Sequence, residues 1–411
     1  MTFSRRKFLY GAALTSASAA FGAQQPTTTD EKARKTDQYV APATGKRPAL
    51  ICAYNGLNYI DRGYDILRNG GDTLDAALAV VKGPEEDPKD DSVGLGGLPN
   101  EEGVVELDSC LMHGPTRTAG SVGGVRNIKN VSQLANMVRL HTGHVMLVGE
   151  GAERFGYAMG LPKENLLTEH SRKVWLLWKE TNSNQDWWGP GLDNPNWRPP
   201  GPMGAAATSS ADWPQRLKKL ESMAADLGIE PEFRLPAIKR VLFPPTGTIN
   251  CSAVNEKGEM SGVTTTSGLA WKLPGRCGDS PVLGAGCWTD QDVGSAGATG
   301  NGEENIKIAG AHTIVENMRR GMSPQEAGMD ALKRIARNYN NDMNRLRYVS
   351  MFFYILRKDG AYAGVTLWSG HPARPRRFVV HDGTKRAENG VPLFQGVPIE
   401  WPPEPKLPGE S

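Results

Sequence analysis

No stretch of this 411-residue sequence reaches the roughly 18 consecutive apolar residues that a membrane-spanning helix needs. The five cysteines (Cys52, Cys110, Cys251, Cys277 and Cys287) are odd in number and widely spaced. That argues against a disulfide framework and against a C-x-x-C metal site. The seven histidines do not cluster, His141 and His144 being the nearest pair, so no metal is expected. A net charge of only +2, with no basic stripe interleaved with aromatics, argues against nucleic acid as the main partner. The glycine-rich stretch Asp90–Gly103 has no P-loop lysine and no G-x-G-x-x-G leading into a helix. Little is left for a nucleotide, and no cofactor is expected.

What is present begins with Ser4-Arg5-Arg6-Lys7-Phe8-Leu9, a twin-arginine pattern followed by a mild apolar stretch from Leu9 to Phe21. Residues 1–23 read as an export signal cut near Ala19 or Ala23, which predicts a periplasmic protein with no stable membrane association after removal. Residues 24–46 are polar and read as a flexible linker. A buried strand is expected at Pro48–Tyr54, then helices over Tyr59–Arg68 and from Asp72 or Thr73 onward. Val104–Gly114 reads as a strand with a GSVGG turn behind it, Val131–His141 as a helix, Val145–Val148 as a strand, and Glu150–Met159 as a helix. Residues 179–212 lose all periodicity and are dominated by Asn, Pro, Gly and Trp, which reads as a long loop dividing the chain. A helix is expected over Trp213–Leu227, before the chain reaches Thr248. Further on, Glu304–Arg320 reads as one helix, and Ser323-Pro324-Gln325-Glu326 as a capping box that starts another, running to Asn338. Met351–Leu356 and Ala361–Trp368 form a strand pair, Phe378–His381 an edge strand, and residues 396–411 a disordered tail. Strands precede helices in each half, which predicts an α+β fold of stacked sheets with helices outside.

The chemistry concentrates between Pro244 and Gly310, beginning at Gly247–Thr248. A threonine hydroxyl is a weak nucleophile unless a base takes its proton. At a chain N-terminus the neutral α-amine is that base, because it titrates near physiological pH. One cut before Thr248 would therefore turn the start of a strand into a catalytic unit.

The segments GTINC, TTTSG, GRCGDSP, GAGCW and ATGNGE follow in order, with DSVGLGGLP, MHGPT, VGGVRNIKN and HTGHVMLVGEGA before them and NMRRGMSP after. In sequence and spacing, from about Ala49 to Arg337, they resemble the glycosylasparaginase family of N-terminal-nucleophile hydrolases. The resemblance implies a four-layer αββα sandwich, self-cleavage into chains 47–247 and 248–395, and a dimer of cleaved protomers. It implies that Thr248 is the nucleophile, that Thr266 hydrogen-bonds it, and that Thr299 and Gly300 form the oxyanion hole. Arg276 and Asp279 would grip the substrate's α-carboxylate and α-amine, a pairing that suits a guanidinium and a carboxylate. Ser92 and Gly247 would belong to the self-cleavage site, and Tyr54 would cover the substrate where the family has an aromatic. Gly247 departs from the glycosylasparaginase branch, which carries Asp there; the isoaspartyl-peptidase branch carries Gly. The activity implied is hydrolysis of the side-chain amide of N4-(β-N-acetylglucosaminyl)-L-asparagine, with the glycan on a lone asparagine. An isoaspartyl peptidase or plain asparaginase remains open. So does a secreted sugar-binding protein with an inactive site and a tryptophan platform. Trp175, Trp178, Trp187, Trp188, Trp197 and Trp213 have no counterpart in the resemblance and are core, lid or platform residues.

Overall fold

A computed structural model describes residues 45–182, 187–197, 213–242, 245–372 and 374–397. The signal segment, nearly all of the linker, most of the Trp- and Pro-rich loop and the tail beyond residue 397 lie outside these residues. The strands, in chain order, are β1 (Ala49–Ala53), β2 (Leu107–His113), β3 (Thr118–Val125), β4 (Met146–Val148), β5 (Thr246–Val254) and β6 (Met260–Leu269). They continue as β7 (Cys287–Asp290), β8 (Gly294–Gly300), β9 (Met351–Arg357), β10 (Tyr362–Trp368) and the two-residue β11 (Gly370–His371) and β12 (Arg374–Pro375). The last are β13 (Arg377–His381), β14 (Lys385–Asn389) and β15 (Val391–Phe394).

Two sheets stack. The larger runs β14-β13-β1-β5-β6-β2-β3-β4 and the smaller β15-β10-β9-β8-β7. β1, the run Ala-Leu-Ile-Cys-Ala, is buried at every position because it lies inside the larger sheet with covered faces on both sides. Small side chains let the two sheets approach closely. Ser252 Oγ on β5 lies 2.9 Å from Ser295 Oγ on β8, and the Thr264 hydroxyl on β6 donates to the Gly286 carbonyl at 2.9 Å. Helices cover the outer faces. On the larger sheet these are α1 (Ile60–Arg68), α2 (Thr73–Glu86) and α3 (Val131–His141), followed in the chain by α4 (Gly149–Ala158). Three more, α5 (Glu169–Asn182), α6 (Trp213–Asp226) and α7 (Pro231–Leu242), build a separate apolar cluster in which Trp178 stacks on Trp271 at 5.2 Å. After a short α8 (Gly302–Ile308), α9 (Gly310–Arg319) and α10 (Pro324–Asn338) cover the smaller sheet, and α11 (Met343–Leu346) comes next in the chain. The result is the expected α+β sandwich with layers in the order αββα.

Several local expectations change. The loop expected from residue 179 starts later, because residues 179–182 complete α5. Lys179 donates to the Glu101 carbonyl and Trp178 is buried, so tertiary packing holds a helix that the polar sequence does not announce. The GSVGG turn lies inside β3. Gly120 serves packing, since a Cβ there would sit 2.0 Å from the Ala135 carbonyl of α3. The single helix over Glu304–Arg320 is two, broken where Ala309 turns left-handed at φ 45° with no proline or turn sequence to signal it. Phe378–His381 is not an edge strand, because β14 pairs outside it. The capping box forms as expected: Ser323 Oγ accepts from Glu326 N–H while the Glu326 carboxylate accepts from Ser323 N–H.

Candidate active site

Thr248 sits near the start of β5, half-buried, where the β5–β6 pairing slips. Gly247 faces Gly268 and Ile249 faces Thr265, so the register shifts across Thr248. Such a bulge re-aims side chains. Here it turns the Thr266 hydroxyl toward the strand start, and the Ser267 N–H leaves the ladder to donate to the Ser92 carbonyl at 3.0 Å. Thr248 Oγ lies 2.5 Å from the Gly247 carbonyl oxygen and 3.0 Å from Thr266 Oγ. The Thr266 hydroxyl also bonds the Gly247 carbonyl and accepts the Gly268 N–H at 2.8 Å. The Thr248 hydroxyl, the carbonyl before it and the Thr266 hydroxyl therefore form one tight group.

That group opens on a cleft of about 940 Å³ lined by Tyr54, Ser92, Gly247, Thr248, Thr299 and Gly300 among others. Thr299 and Gly300 end β8 on the facing sheet, and Thr299 Oγ lies 2.9 Å from the Tyr354 hydroxyl of β9. Tyr54 is 44% exposed, directly succeeds β1 and carries the Arg377 guanidinium 4.9 Å above its ring. Six of the expected residues thus share one cleft, with Thr266 bonded beneath.

Arg276 and Asp279 do not line this cleft. Arg276 lines a second pocket of about 330 Å³ with Trp187, Trp197 and Glu303, and pairs with the Glu303 carboxylate through two bonds of 2.8 Å. Asp279 is buried and accepts from the Asn305 amide at 2.6 Å. Burial pushes its carboxyl up to about 6, against the opposing pull of the Asn305 bond and Arg276. Gly268 connects the two groups: its N–H bonds Thr266, and a Cβ there would lie 3.4 Å from Arg276 Nη1.

A family profile described as Asparaginase matches residues 55–345. An N(4)-(Beta-N-acetylglucosaminyl)-L-asparaginase from Elizabethkingia miricola is 34% identical over 342 residues, covering 83% of both chains. The chain belongs to the asparaginase family. A mouse protein named N(4)-(beta-N-acetylglucosaminyl)-L-asparaginase is 31% identical over 72% of this chain and 79% of its own. An Arabidopsis thaliana protein named "Probable isoaspartyl peptidase/L-asparaginase 3" is 31% identical over 78% of this chain and 84% of its own. As a member of the asparaginase family the protein is an amidohydrolase.

In this asparaginase-family chain the space around Gly247 is filled. A Cβ at that position would lie 1.9 Å from Ser92 Cβ and 2.4 Å from Ser92 Cα, so no side chain fits. Ser92 is held by Asp90, whose carboxylate accepts from both its N–H and its hydroxyl and also takes the Asn55 amide at 3.0 Å. Burial raises the Asp90 carboxyl above the ordinary range, while the bonds from Ser92 and Asn55 pull it back. Asp90, Asn55, Tyr354 and the arginines after residue 373 are cleft residues that sequence reasoning missed as site residues. Asp90 stands two residues before Ser92 in DDSVG, where the Asx-turn spacing is a usable signal. Tyr354 lies inside an apolar strand, and nothing local marks it. The tryptophans divide by role. Trp178 is core, Trp187 donates to the Ala270 carbonyl at 3.2 Å and lines the Arg276 pocket with Trp197, and Trp188 is 65% exposed. Among the described residues no cluster of His, Cys, Asp or Glu could hold a metal ion, and no helix is long and apolar enough to cross a membrane.

Proposed function

We propose that the protein hydrolyses the side-chain amide of N4-(β-N-acetylglucosaminyl)-L-asparagine through Thr248, after cleavage of the Gly247–Thr248 bond frees its amine. The observation that carries this reading is the contact of Thr248 Oγ with both the Gly247 carbonyl and Thr266. The hydroxyl attacks the Gly247 carbonyl carbon, the peptide nitrogen leaves as an amine, and water hydrolyses the resulting ester. The same hydroxyl then attacks the substrate's amide carbonyl, and its proton passes to the new α-amine. The oxyanion is met by the Thr299 hydroxyl and the Gly300 N–H. The C–N bond breaks as the leaving amine takes the proton. Water cleaves the aspartyl ester, giving aspartate and regenerating Thr248.

Arg276 and Asp279 receive the α-carboxylate and α-amine once the segment ending at Gly247 leaves Gly268 and Leu269, with which Thr246 and Gly247 now pair. The protein works in the periplasm after export, as a dimer of cleaved protomers. A second reading, hydrolysis of β-aspartyl peptides or free asparagine, is favoured by Gly247. Turnover of glycosyl-asparagine, a β-aspartyl dipeptide and asparagine by the wild type and by Thr248→Ala tests the assignment. A preference for glycosyl-asparagine that vanishes in the variant is expected. Equal or inverted preference would replace the first reading with the second, and turnover by Thr248→Ala would remove Thr248 from the mechanism.

A further inference from the structure

Lys272 has almost no access to water, being 1% exposed. Beyond the end of β6 the chain turns back on itself. Trp271 is left-handed at φ 62° and stacks on Trp178, and the Lys272 N–H donates to the Leu269 carbonyl at 3.3 Å. The lysine side chain thus returns beneath the end of β6, where Nζ donates to the Ser267 carbonyl at 3.2 Å and to the Glu106 carbonyl at 3.0 Å. Gly268 leaves room for it. A Cβ there would lie 2.7 Å from Nζ, and a φ of 77° already favours glycine. Among the described residues no carboxylate forms an ion pair with Nζ. The Glu106 carboxylate pairs with Arg126 at 2.7 Å, and Asp108 accepts the Gly124 N–H at 2.8 Å. The ammonium therefore acts on the two carbonyls that it bonds, through charge-assisted hydrogen bonds.

One of those carbonyls shares its peptide unit with a second task. The Ser267 carbonyl and the Gly268 N–H are the two ends of one amide. That N–H donates to Thr266 Oγ at 2.8 Å, and the Thr266 hydroxyl donates to the Gly247 carbonyl. An unbroken run of donors thus leads from the ammonium to the carbonyl beside Thr248. Hydrogen bonds in such a run polarise one another, so a cation at one end makes the last hydroxyl a better donor.

We propose that Lys272 is a positioning residue for cleavage of the Gly247–Thr248 bond, polarising the Ser267–Gly268 amide so that the Thr266 hydroxyl better stabilises the oxyanion formed at Gly247. This rests on the self-cleavage reading of Thr248. In the step it assists, Thr248 Oγ bonds to the Gly247 carbonyl carbon, and the carbonyl π pair moves onto the oxygen that Thr266 holds. When that pair returns, the C–N bond breaks and the nitrogen takes the proton released by the Thr248 hydroxyl. Lys272 keeps its own proton and bonds to no reacting atom. Burial makes this ammonium easier to deprotonate than an exposed one; Asp108, Glu106 and Cys277 oppose that, and Arg276 adds to it.

The test is the rate at which the full chain is cut, followed on a denaturing gel from its synthesis in a cell-free reaction, with thermal unfolding alongside. Lys272→Met keeps most of the stem and removes the charge. It is expected to cut about tenfold more slowly at neutral pH, less than the loss of a donor that touches the oxyanion itself. A double-mutant cycle separates this relay from a merely structural role. In a Thr266→Val chain the link is gone, so adding Lys272→Met should slow cutting by less than about twofold more. A structural role would give the full loss in both backgrounds. A second measurement leaves residue 272 unchanged. In the uncut Thr248→Ala chain the Gly268 amide hydrogen should resonate downfield by NMR and move upfield as rising pH deprotonates Lys272. Wild-type cutting by Lys272→Met, losses that add in the cycle, or a Gly268 signal that ignores pH up to unfolding would overturn this inference alone. A wild-type chain that stays uncut yet active would remove the self-cleavage reading and this inference with it.

Discussion

Gly247→Asp restores the residue that the glycosylasparaginase branch carries before its nucleophile, and resemblance alone says it should help cleavage. The geometry says the opposite. Carbon atoms pack about 3.5–4.0 Å apart, whereas the new Cβ would lie 1.9 Å from Ser92 Cβ and 2.4 Å from Ser92 Cα. Something must move by roughly 1.5–2 Å to recover that spacing. Ser92 is poorly placed to do so, because its carbonyl takes the Ser267 N–H at 3.0 Å and its N–H is bonded to Asp90 at 3.0 Å. Overpacking of this kind costs about 1–3 kcal/mol. The aspartate adds a second carboxylate beside Asp90, whose own carboxyl burial already raises. The displacement falls on the bulge that aims Thr266, so it should disturb the Thr248–Gly247 contact as well as the fold. The assay is the fraction of chain cut against time on a denaturing gel, with thermal unfolding of the uncut form alongside. Gly247→Asp is expected to mature at least tenfold more slowly, by about 1.4 kcal/mol or more in the barrier, and to melt lower. Gly247→Ala, which carries the same Cβ without the charge, should show the steric part alone. Maturation of Gly247→Asp at or above the wild-type rate with an unchanged melting temperature would refute the steric reasoning.

Thr266→Val removes the hydroxyl that bonds Thr248 and the Gly247 carbonyl and leaves the Gly268 N–H without its acceptor, a loss of about 1–3 kcal/mol in stability; thermal unfolding and the cutting rate should fall together. Asp279 has a folded pKa of about 6 against an ordinary 3.8, so the folded chain holds its proton more tightly than the unfolded one. Stability from this group is thus full below 3.8 and falls as pH rises to about 6. Binding of a substrate ammonium needs the carboxylate, so KM should rise about tenfold per unit as pH drops below about 6, a trend that Asp279→Asn removes. Tyr354→Phe deletes the hydroxyl bonded to Thr299. If that bond turns the Thr299 hydroxyl toward the oxyanion, kcat should drop about tenfold with KM little changed, and an unchanged kcat would remove Tyr354 from that role.

Much of the fold was legible because its signals are local. The buried run Ala49–Ala53, the capping box at Ser323 and the periodicity of Val131–His141 each specify their element within a few residues. The grouping of Thr248, Thr299, Gly300 and Ser92 came from resemblance rather than from any one pattern, since these residues come from three separate stretches of chain. What stayed hidden depends on contacts between distant segments. The glycines of β3 read as a turn until Ala135 of α3 is seen against Gly120. Gly247 reads as a missing carboxylate until Ser92 is seen to fill its space.

On this mechanism Thr248 becomes a chain N-terminus. Intact mass measurement with N-terminal sequencing of the purified protein tests it most directly. Two chains are expected, one of them beginning with Thr248, and one uncut, inactive chain from Thr248→Ala. A fully active protein whose Gly247–Thr248 bond is intact would contradict it.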